Sequence, residues 1–392
     1  MQEALLIITS ISVLLFVGVL CSWIGKKLRV PDVLLLLIAG MLLAQLTYHG
    51  QPVVQVPITF LNGLAILALA MVSFDSTTQL RLRELDTFSA KAFKLTICVV
   101  VFLAVFFTTI AQFLLGLSIY SSLLLATIMI GTAPEITLGL ITKTRPKTLL
   151  RLESIFNTPF TVILPFLVIK LMQSVPSMAL SSLFEQLVPF LLNIIVGLGA
   201  GIFVGVILFK LVQHAYTEVY SPLAVIIAAL LAYVLAENLG GAGVLAASTL
   251  GLFLGNVYVK EKFKLLTAES VLTKALYVLV FVLTGVIIDI PYTFEFFITS
   301  GLLFAAYLAI RFAAVSLGTW GDNYSTSEKM FMTLSAPKGL ASVAVVFVLA
   351  VYDLSEIATV IDMTLTFILY SIVLATITTF AARSHENRTR GH

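Results

Sequence analysis

Charge is scarce in this chain. Asp, Glu, Lys and Arg make up 11% of its 392 residues, and hydrophobic residues 60%. A water-soluble domain carries about a quarter charged residues, so the solvent around most of this chain must be lipid. Cysteine is scarcer still, with two residues. Cys21 and Cys98 each sit inside an apolar run, which excludes a disulfide framework or a thiolate-bound metal. The four histidines, His49, His214, His385 and His392, fall in loops or in the tail, so there is no imidazole set for zinc or copper. No His-Glu-x-x-His, no Gly-x-Ser-x-Gly elbow and no pair of intramembrane aspartates is present, which leaves an intramembrane enzyme as a remote reading. No polar stretch is long enough for a separate soluble domain, and the tail from Ala381 to His392 is too short to sense a ligand.

What the chain has instead is a succession of apolar runs. A helix needs about 20 apolar residues to cross the hydrocarbon. The runs predict spans at 4–24, 32–46, 58–78, 95–116, 120–142, 149–171, 187–210, 222–237, 239–256, 268–289, 295–319, 329–351 and 359–381. The fold class is therefore an all-α polytopic membrane protein with about thirteen transmembrane helices. The run from Ala4 to Ile24 is too long for a signal-peptide core and lacks a small-residue cleavage site, so it is read as a retained first span.

The few charges are sorted by side. One set of alternate loops holds Lys26, Lys27 and Arg29, then Arg81, Arg83, Lys91 and Lys94, then Lys143, Arg145, Lys147 and Arg151. It continues through Lys210, Lys260, Lys262, Lys264, Lys274 and Lys329 to the tail's Arg383, Arg388 and Arg390. The opposite set carries Glu3, Glu185, Glu237, Asp289, Glu295, Asp353 and Glu356. Basic loops stay in the cytoplasm, which puts the N-terminus outside and the C-terminus in the cytoplasm of a cell-membrane protein.

The sequence also repeats. Gly131-Thr132-Ala133-Pro134-Glu135-Ile136-Thr137-Leu138-Gly139-Leu140 in the fifth span resembles Leu334-Ser335-Ala336-Pro337-Lys338-Gly339-Leu340-Ala341-Ser342-Val343 in the twelfth. Val33-Leu34 and Gly40 likewise match Val244-Leu245 and Gly251. An offset of seven spans reverses the direction of travel, so the halves form two inverted six-helix repeats. The repeats cover 1–186 and 222–381, with linker helix 7 in 187–221 and a short cytoplasmic tail at 382–392. Proline removes a backbone donor, and Pro134 and Pro337 stand at repeat-related positions. Both segments are expected to unwind and cross near mid-membrane, the arrangement that points to a transport site.

Polar residues gather around those breaks. Asp75 ends the third span; Thr132 and Glu135 flank the first break; Glu153, Ser154, Asn157 and Thr158 lie in the sixth span. Lys338 belongs to the second break and Arg311 to the eleventh span. An ionisable group at bilayer depth costs at least about 2.5 kcal/mol and marks a pathway or a pair. Glu153 and Asn157 are four apart and share one helical face, with Ser154 and Thr158 on the next. Carboxylate, amide and hydroxyl oxygens at that spacing suit a hard monovalent cation. Plainer readings stand beside this one. Glu153 and Asp75 are also compatible with helix-end roles, and Lys338 is expected to pair with Glu153 or Glu135. Arg311 reads as structural.

Taken together, these segments resemble the monovalent cation:proton antiporter superfamily, nearest its sodium/proton exchanger branch. Thr132-Ala133-Pro134 sits where that family has Thr-Asp-Pro, and Glu153-Ser154 with Asn157-Thr158 where it has Glu-Ser and Asn-Asp. Phe74-Asp75 resembles its Phe-Glu, and Ala336-Pro337-Lys338-Gly339 its Gly-Pro-Arg-Gly. The resemblance implies a secondary transporter, not an enzyme, exchanging Na⁺ or K⁺ for H⁺ by alternating access. One half would move against the other like an elevator, in a homodimer surrounded by lipid. It implies no cofactor beyond the transported ions and no nucleic-acid partner. Thr158 and Ala133 replace two carboxylates of the family pattern. The titrating group is then Glu135 or Asp75, or alternatively Lys338, with Thr132, Ser154, Asn157 and Thr158 as neutral ligands. The alternative is an uncoupled or regulatory relative that has lost proton coupling through Thr158.

Overall fold

The computed structural model describes residues 2–28, 30–48, 51–54, 56–78, 87–134, 136, 145–174, 180–214, 220–257, 262–288, 293–350, 352 and 356–390. Among these residues, six helices are each long and apolar enough to cross a membrane, and seven shorter apolar helices accompany them. The thirteen predicted spans are all represented. The first three helices are α1 (Gln2–Leu28), α2 (Asp32–Gln45) and α3 (Ile58–Thr78). A two-residue antiparallel pairing of Thr47–Tyr48 with Gln51–Pro52 lies between α2 and α3.

Next comes one rod made of α4 (Thr87–Phe102), a π-helical turn at Leu103–Phe107 and α5 (Thr108–Leu115). Gly116, at φ 65°, ends it in the left-handed conformation that glycine adopts without strain. Ser118 then caps α6 (Ile119–Ile128), its hydroxyl accepting from the Ser121 N–H at 3.2 Å. Glu356 reaches the same end from a distant loop, its Oε2 accepting from the Ser118 N–H at 3.0 Å and the Ser118 hydroxyl at 2.8 Å. Partial burial works against ionisation of Glu356. The hydrogen bonds from Ser121 and Ser118 outweigh it and hold the carboxyl below its ordinary value.

The remaining helices are α7 (Arg145–Ser174), α8 (Leu180–His214), α9 (Tyr220–Asn238), α10 (Gly243–Asn256), α11 (Lys262–Ile287) and α12 (Phe294–Gly318). They are followed by α13 (Thr326–Leu334), α14 (Leu340–Leu349) and α15 (Ile357–Arg390). Several outrun their predicted spans. The rod begins at Thr87 instead of 95, α7 at Arg145 instead of 149, and α8 at Leu180 instead of 187. The boundary expected at 186/187 therefore falls inside α8, and the tail expected from 382 is helical to Arg390. The physical reason is the same each time: polar residues end an apolar run without ending a helix that projects beyond the hydrocarbon.

The helices sort into two bundles. In one, α2 packs on α1 and α11, and α10 on α3, α8 and α9; in the other, α7 packs on α4 and α6, and α12 on α4 and α13. Small residues set the closest approach in the first bundle. A methyl group at Gly40 of α2 would run into the Val282 carbonyl, and one at Gly285 of α11 into the Leu37 carbonyl. Between lipid-solvated helices, such glycines let backbones meet at van der Waals distance. The bundles meet where α14 packs on α3, α7 and α11.

Candidate functional site

The site is assembled at two interruptions of the helical backbone. After α6 the chain turns at Met129 and Ile130 and runs without regular structure through Gly131, Thr132 and Ala133 to a turn at Pro134. After α13 it is again irregular from Ala336 to Gly339, where the backbone is extended before α14 begins. These two stretches cross, as expected from their repeated prolines. The Ala133 N–H donates to the Pro337 carbonyl at 2.8 Å, and Ser342 Oγ to the Ile128 carbonyl at 3.2 Å. Gly339 lies against Ala133, where an added methyl would strike the Ala133 side chain. Non-helical backbone at membrane depth is stable only when its polar groups find partners in the protein or line a cavity, and the crossing supplies both.

The cavity beside the crossing has a volume of about 300 Å³ and is walled by α3, α7, α11, α14 and the first break. Asp75, Thr132, Ser154, Asn157 and Thr158 all line it, so five of the predicted ion ligands come together. Glu135 lies outside the described residues, and so does its relation to Lys338. Asp75 is the one carboxylate among the described lining residues.

The hydrogen bonds show how the neutral polar residues of the wall are oriented. Asn157 is fully buried, and its Nδ2 donates to Thr132 Oγ1 at 2.8 Å and weakly to Glu153 Oε1 at 3.5 Å. These acceptors fix the amide, and its Oδ1 has no hydrogen-bond partner among the described residues. A buried amide oxygen without a donor is costly and is a ready ligand for a cation. Thr158 Oγ1 donates to the Ser154 carbonyl at 2.7 Å and Ser154 Oγ to the Arg151 carbonyl at 2.9 Å. Each hydroxyl thus spends its proton on backbone and keeps its lone pairs for the cavity. Pro159, inside α7, lacks the N–H that would otherwise serve the Ile155 carbonyl, and Ile155 is in the same wall.

Glu153 is placed differently from the other carboxylate. Its side chain and that of Arg311 are both 0% exposed, joined at 2.9, 3.2 and 3.3 Å. The expectation that Lys338 pairs with Glu153 is therefore corrected, because Arg311 holds the carboxylate. Lys338 Nζ donates instead to the Met129 carbonyl and, at 2.6 Å, to Tyr307 Oη, lying 4.2 Å from the Tyr307 ring centroid. Its side-chain nitrogen thereby caps the carbonyl end of α6, and the Lys338 backbone N–H donates to Ser371 Oγ at 2.9 Å. A planar, bidentate guanidinium suits a carboxylate better than a point ammonium does. Tyr307 and Ser371 were not singled out from the sequence. The one available signal was Tyr307 four residues before Arg311 on a single helical face.

A second cavity, of about 480 Å³, lies along the other end of α7, where Val162, Ile163, Phe166 and Leu167 face Tyr233 and Glu237. It is bounded by α7 and α14 on one side and by α3, α8, α9 and α10 on the other, so both cavities lie between the two bundles.

Comparison with known proteins gives consistent results. A family profile described as "Sodium/hydrogen exchanger, transmembrane" matches residues 11–382. The chain is 24% identical over 352 residues to a "Probable Na(+)/H(+) antiporter 2" of Methanocaldococcus jannaschii, covering 84% of this chain and 81% of that one. It is 24% identical over 294 residues to the "K(+)/H(+) antiporter NhaP" of Alkalimonas amylolytica, covering 74% of this chain and 50% of the relative. The solved structure of the sodium proton antiporter MjNhaP1 from Methanocaldococcus jannaschii superimposes with a TM-score of 0.78 at 20% identity over 96% of both chains.

Proposed function

Since the chain belongs to the family of transmembrane sodium/hydrogen exchangers, we propose that it exchanges Na⁺ or K⁺ for H⁺ by alternating access at the Asp75 cavity. The observation that carries this is the convergence of Asp75, Asn157 Oδ1, which has no partner among the described residues, and the hydroxyls of Thr132, Ser154 and Thr158 on one cavity beside the crossed breaks. Hard cations take oxygen ligands. Ionised, Asp75 supplies the charge that holds a partly dehydrated cation among neutral oxygens. Protonated, it cannot hold the cation. One carboxylate thus makes cation and proton compete, and that competition is the coupling. Glu153 is committed to Arg311 and serves as structure. Two cavities at opposite ends of α7, both between the bundles, support a relative movement that opens one end and closes the other. In this reading the bundles are the moving and static bodies of an inverted-repeat elevator in the cell membrane. Basic loops and C-terminus face the cytoplasm, the chain pairs with a second copy, and no cofactor takes part.

Thr158 and Ala133, standing where the family has carboxylates, favour one second reading: cation passage without proton exchange. Proteoliposomes with an imposed pH gradient decide between them. Collapse of the gradient by Na⁺, K⁺ or Li⁺, lost in a folded Asp75→Asn variant, supports exchange. Cation flux that leaves the gradient intact selects the second reading. Full exchange by Asp75→Asn refutes the assignment of the proton site.

A further inference from the structure

The buried polar groups around the crossing close into a ring. We propose that Tyr307 is a positioning residue of the transport site, its hydroxyl holding that ring so that Asn157 keeps its amide oxygen for the cation. This rests on the reading of the cavity as a cation site. Lys338 Nζ donates to Tyr307 Oη at 2.6 Å and to the Met129 carbonyl. Met129 stands three residues before Thr132, and Thr132 Oγ1 accepts from Asn157 Nδ2 at 2.8 Å. The same nitrogen reaches Glu153 Oε1 at 3.5 Å, and Glu153 is gripped by Arg311 at 2.9 to 3.3 Å. Arg311 follows Tyr307 by four residues on one face of α12, which brings the ring back to its start.

An amide attracts a cation with its oxygen and repels it with its N–H groups. The ring puts two acceptors, Thr132 Oγ1 and Glu153 Oε1, at the nitrogen of Asn157. The oxygen is then the end left without a partner among the described residues. Where Thr132 sits depends in turn on where the Met129 carbonyl is held. Lys338 is fully buried, and a buried donor short of acceptors is costly, so Nζ stays where it reaches both Tyr307 Oη and that carbonyl. Tyr307 is the fixed end of the link. It is 1% exposed, and the rings of Phe107, Phe304 and Phe367 each stand 6.0 Å from its own. Phe107 belongs to the π-helical turn of the rod, an irregularity that recurs at functional sites. Tyr307→Phe keeps the packed ring and removes one oxygen, so the expected loss is one hydrogen bond, about three- to tenfold in cation affinity.

The test compares the wild type, Tyr307→Phe, Thr132→Val and the double variant at one alkaline pH. Two quantities are measured: the exchange rate in proteoliposomes against Na⁺ or K⁺ concentration, and thermal stabilisation of the purified protein by the same cation. Tyr307→Phe is expected to half-saturate at an about three- to tenfold higher concentration in both. A merely structural role would lower the melting temperature without cation and leave half-saturation alone. Once Thr132→Val has freed the Asn157 amide, Tyr307→Phe should add less than about twofold, because residues in one network are not additive. Should Tyr307→Phe fail to fold, Lys338→Met breaks the same link from its other end without leaving a nitrogen short of an acceptor. It should weaken stabilisation by the cation to the same extent. Wild-type half-saturation in the folded variant, or effects of Tyr307→Phe and Thr132→Val that multiply in the double variant, overturns the role of Tyr307 and leaves the cation site standing. Absence of both flux and stabilisation in the wild type overturns the cation site and this role together.

Discussion

Separating Arg311 from Glu153 is the perturbation whose magnitude follows most directly from the structure. Both side chains are 0% exposed and are joined by three hydrogen bonds of 2.9 to 3.3 Å. In Arg311→Met the carboxylate of Glu153 keeps one weak donor, Asn157 Nδ2 at 3.5 Å, and is otherwise a buried charge without compensation. Breaking such a pair from one side costs about 3–5 kcal/mol. Glu153→Gln leaves the guanidinium in the same position and should cost a similar amount. Removing both charges removes the uncompensated ion, so Glu153→Gln with Arg311→Met should be more stable than either single variant. The expected coupling is at least about 2 kcal/mol. Equilibrium unfolding in mixed micelles, followed by helical circular dichroism, measures the three variants against the wild type. Single variants within about 1 kcal/mol of wild type would refute the reasoning. So would a double variant no more stable than the weaker single.

Other expectations address the ligands, the helix crossing and the loop. Thr132→Val keeps the shape but removes the acceptor of Asn157 Nδ2; it should cost about 1–3 kcal/mol in the same unfolding assay and raise the half-saturating cation concentration. Gly40→Ala drives a methyl into the Val282 carbonyl and should destabilise by at least about 1–3 kcal/mol through overpacking, whereas Gly63→Ala, with nothing near its added methyl, should be tolerated. Glu356 has a folded-state carboxyl below its ordinary value of 4.5, so it stabilises at pH above that value and loses the contribution as pH falls through the lowered one. Thermal unfolding of wild type and Glu356→Gln should therefore differ at neutral pH and converge in acid; a difference that grows in acid would reverse the assignment.

The site was legible to different depths. Asp75, Thr132, Ser154, Asn157 and Thr158 could be read as a group because each is a polar residue in an apolar surround, where its desolvation cost demands a reason. The partners of Glu153 could not. Arg311 and Lys338 both offer a positive charge at similar depth, and sequence does not say which side chain the crossing turns toward α7. Arg151 was grouped with the basic loop residues Lys143, Arg145 and Lys147, although the span expected at 149–171 already contained it; α7 carries it into the cavity wall.

What the sequence determined by itself is therefore the solvent, the number of spans, the two breaks and most of the polar residues that meet at the cavity. These follow from local composition and from periodicities that lipid enforces, because a span cannot hide an unpaired polar group. Only the tertiary structure decided which charges neutralise each other, where the helices truly end and which single carboxylate among the described residues shares a cavity with Asn157. Those outcomes depend on the angle and depth at which helices far apart in sequence cross, a property of packing that no local stretch of residues encodes.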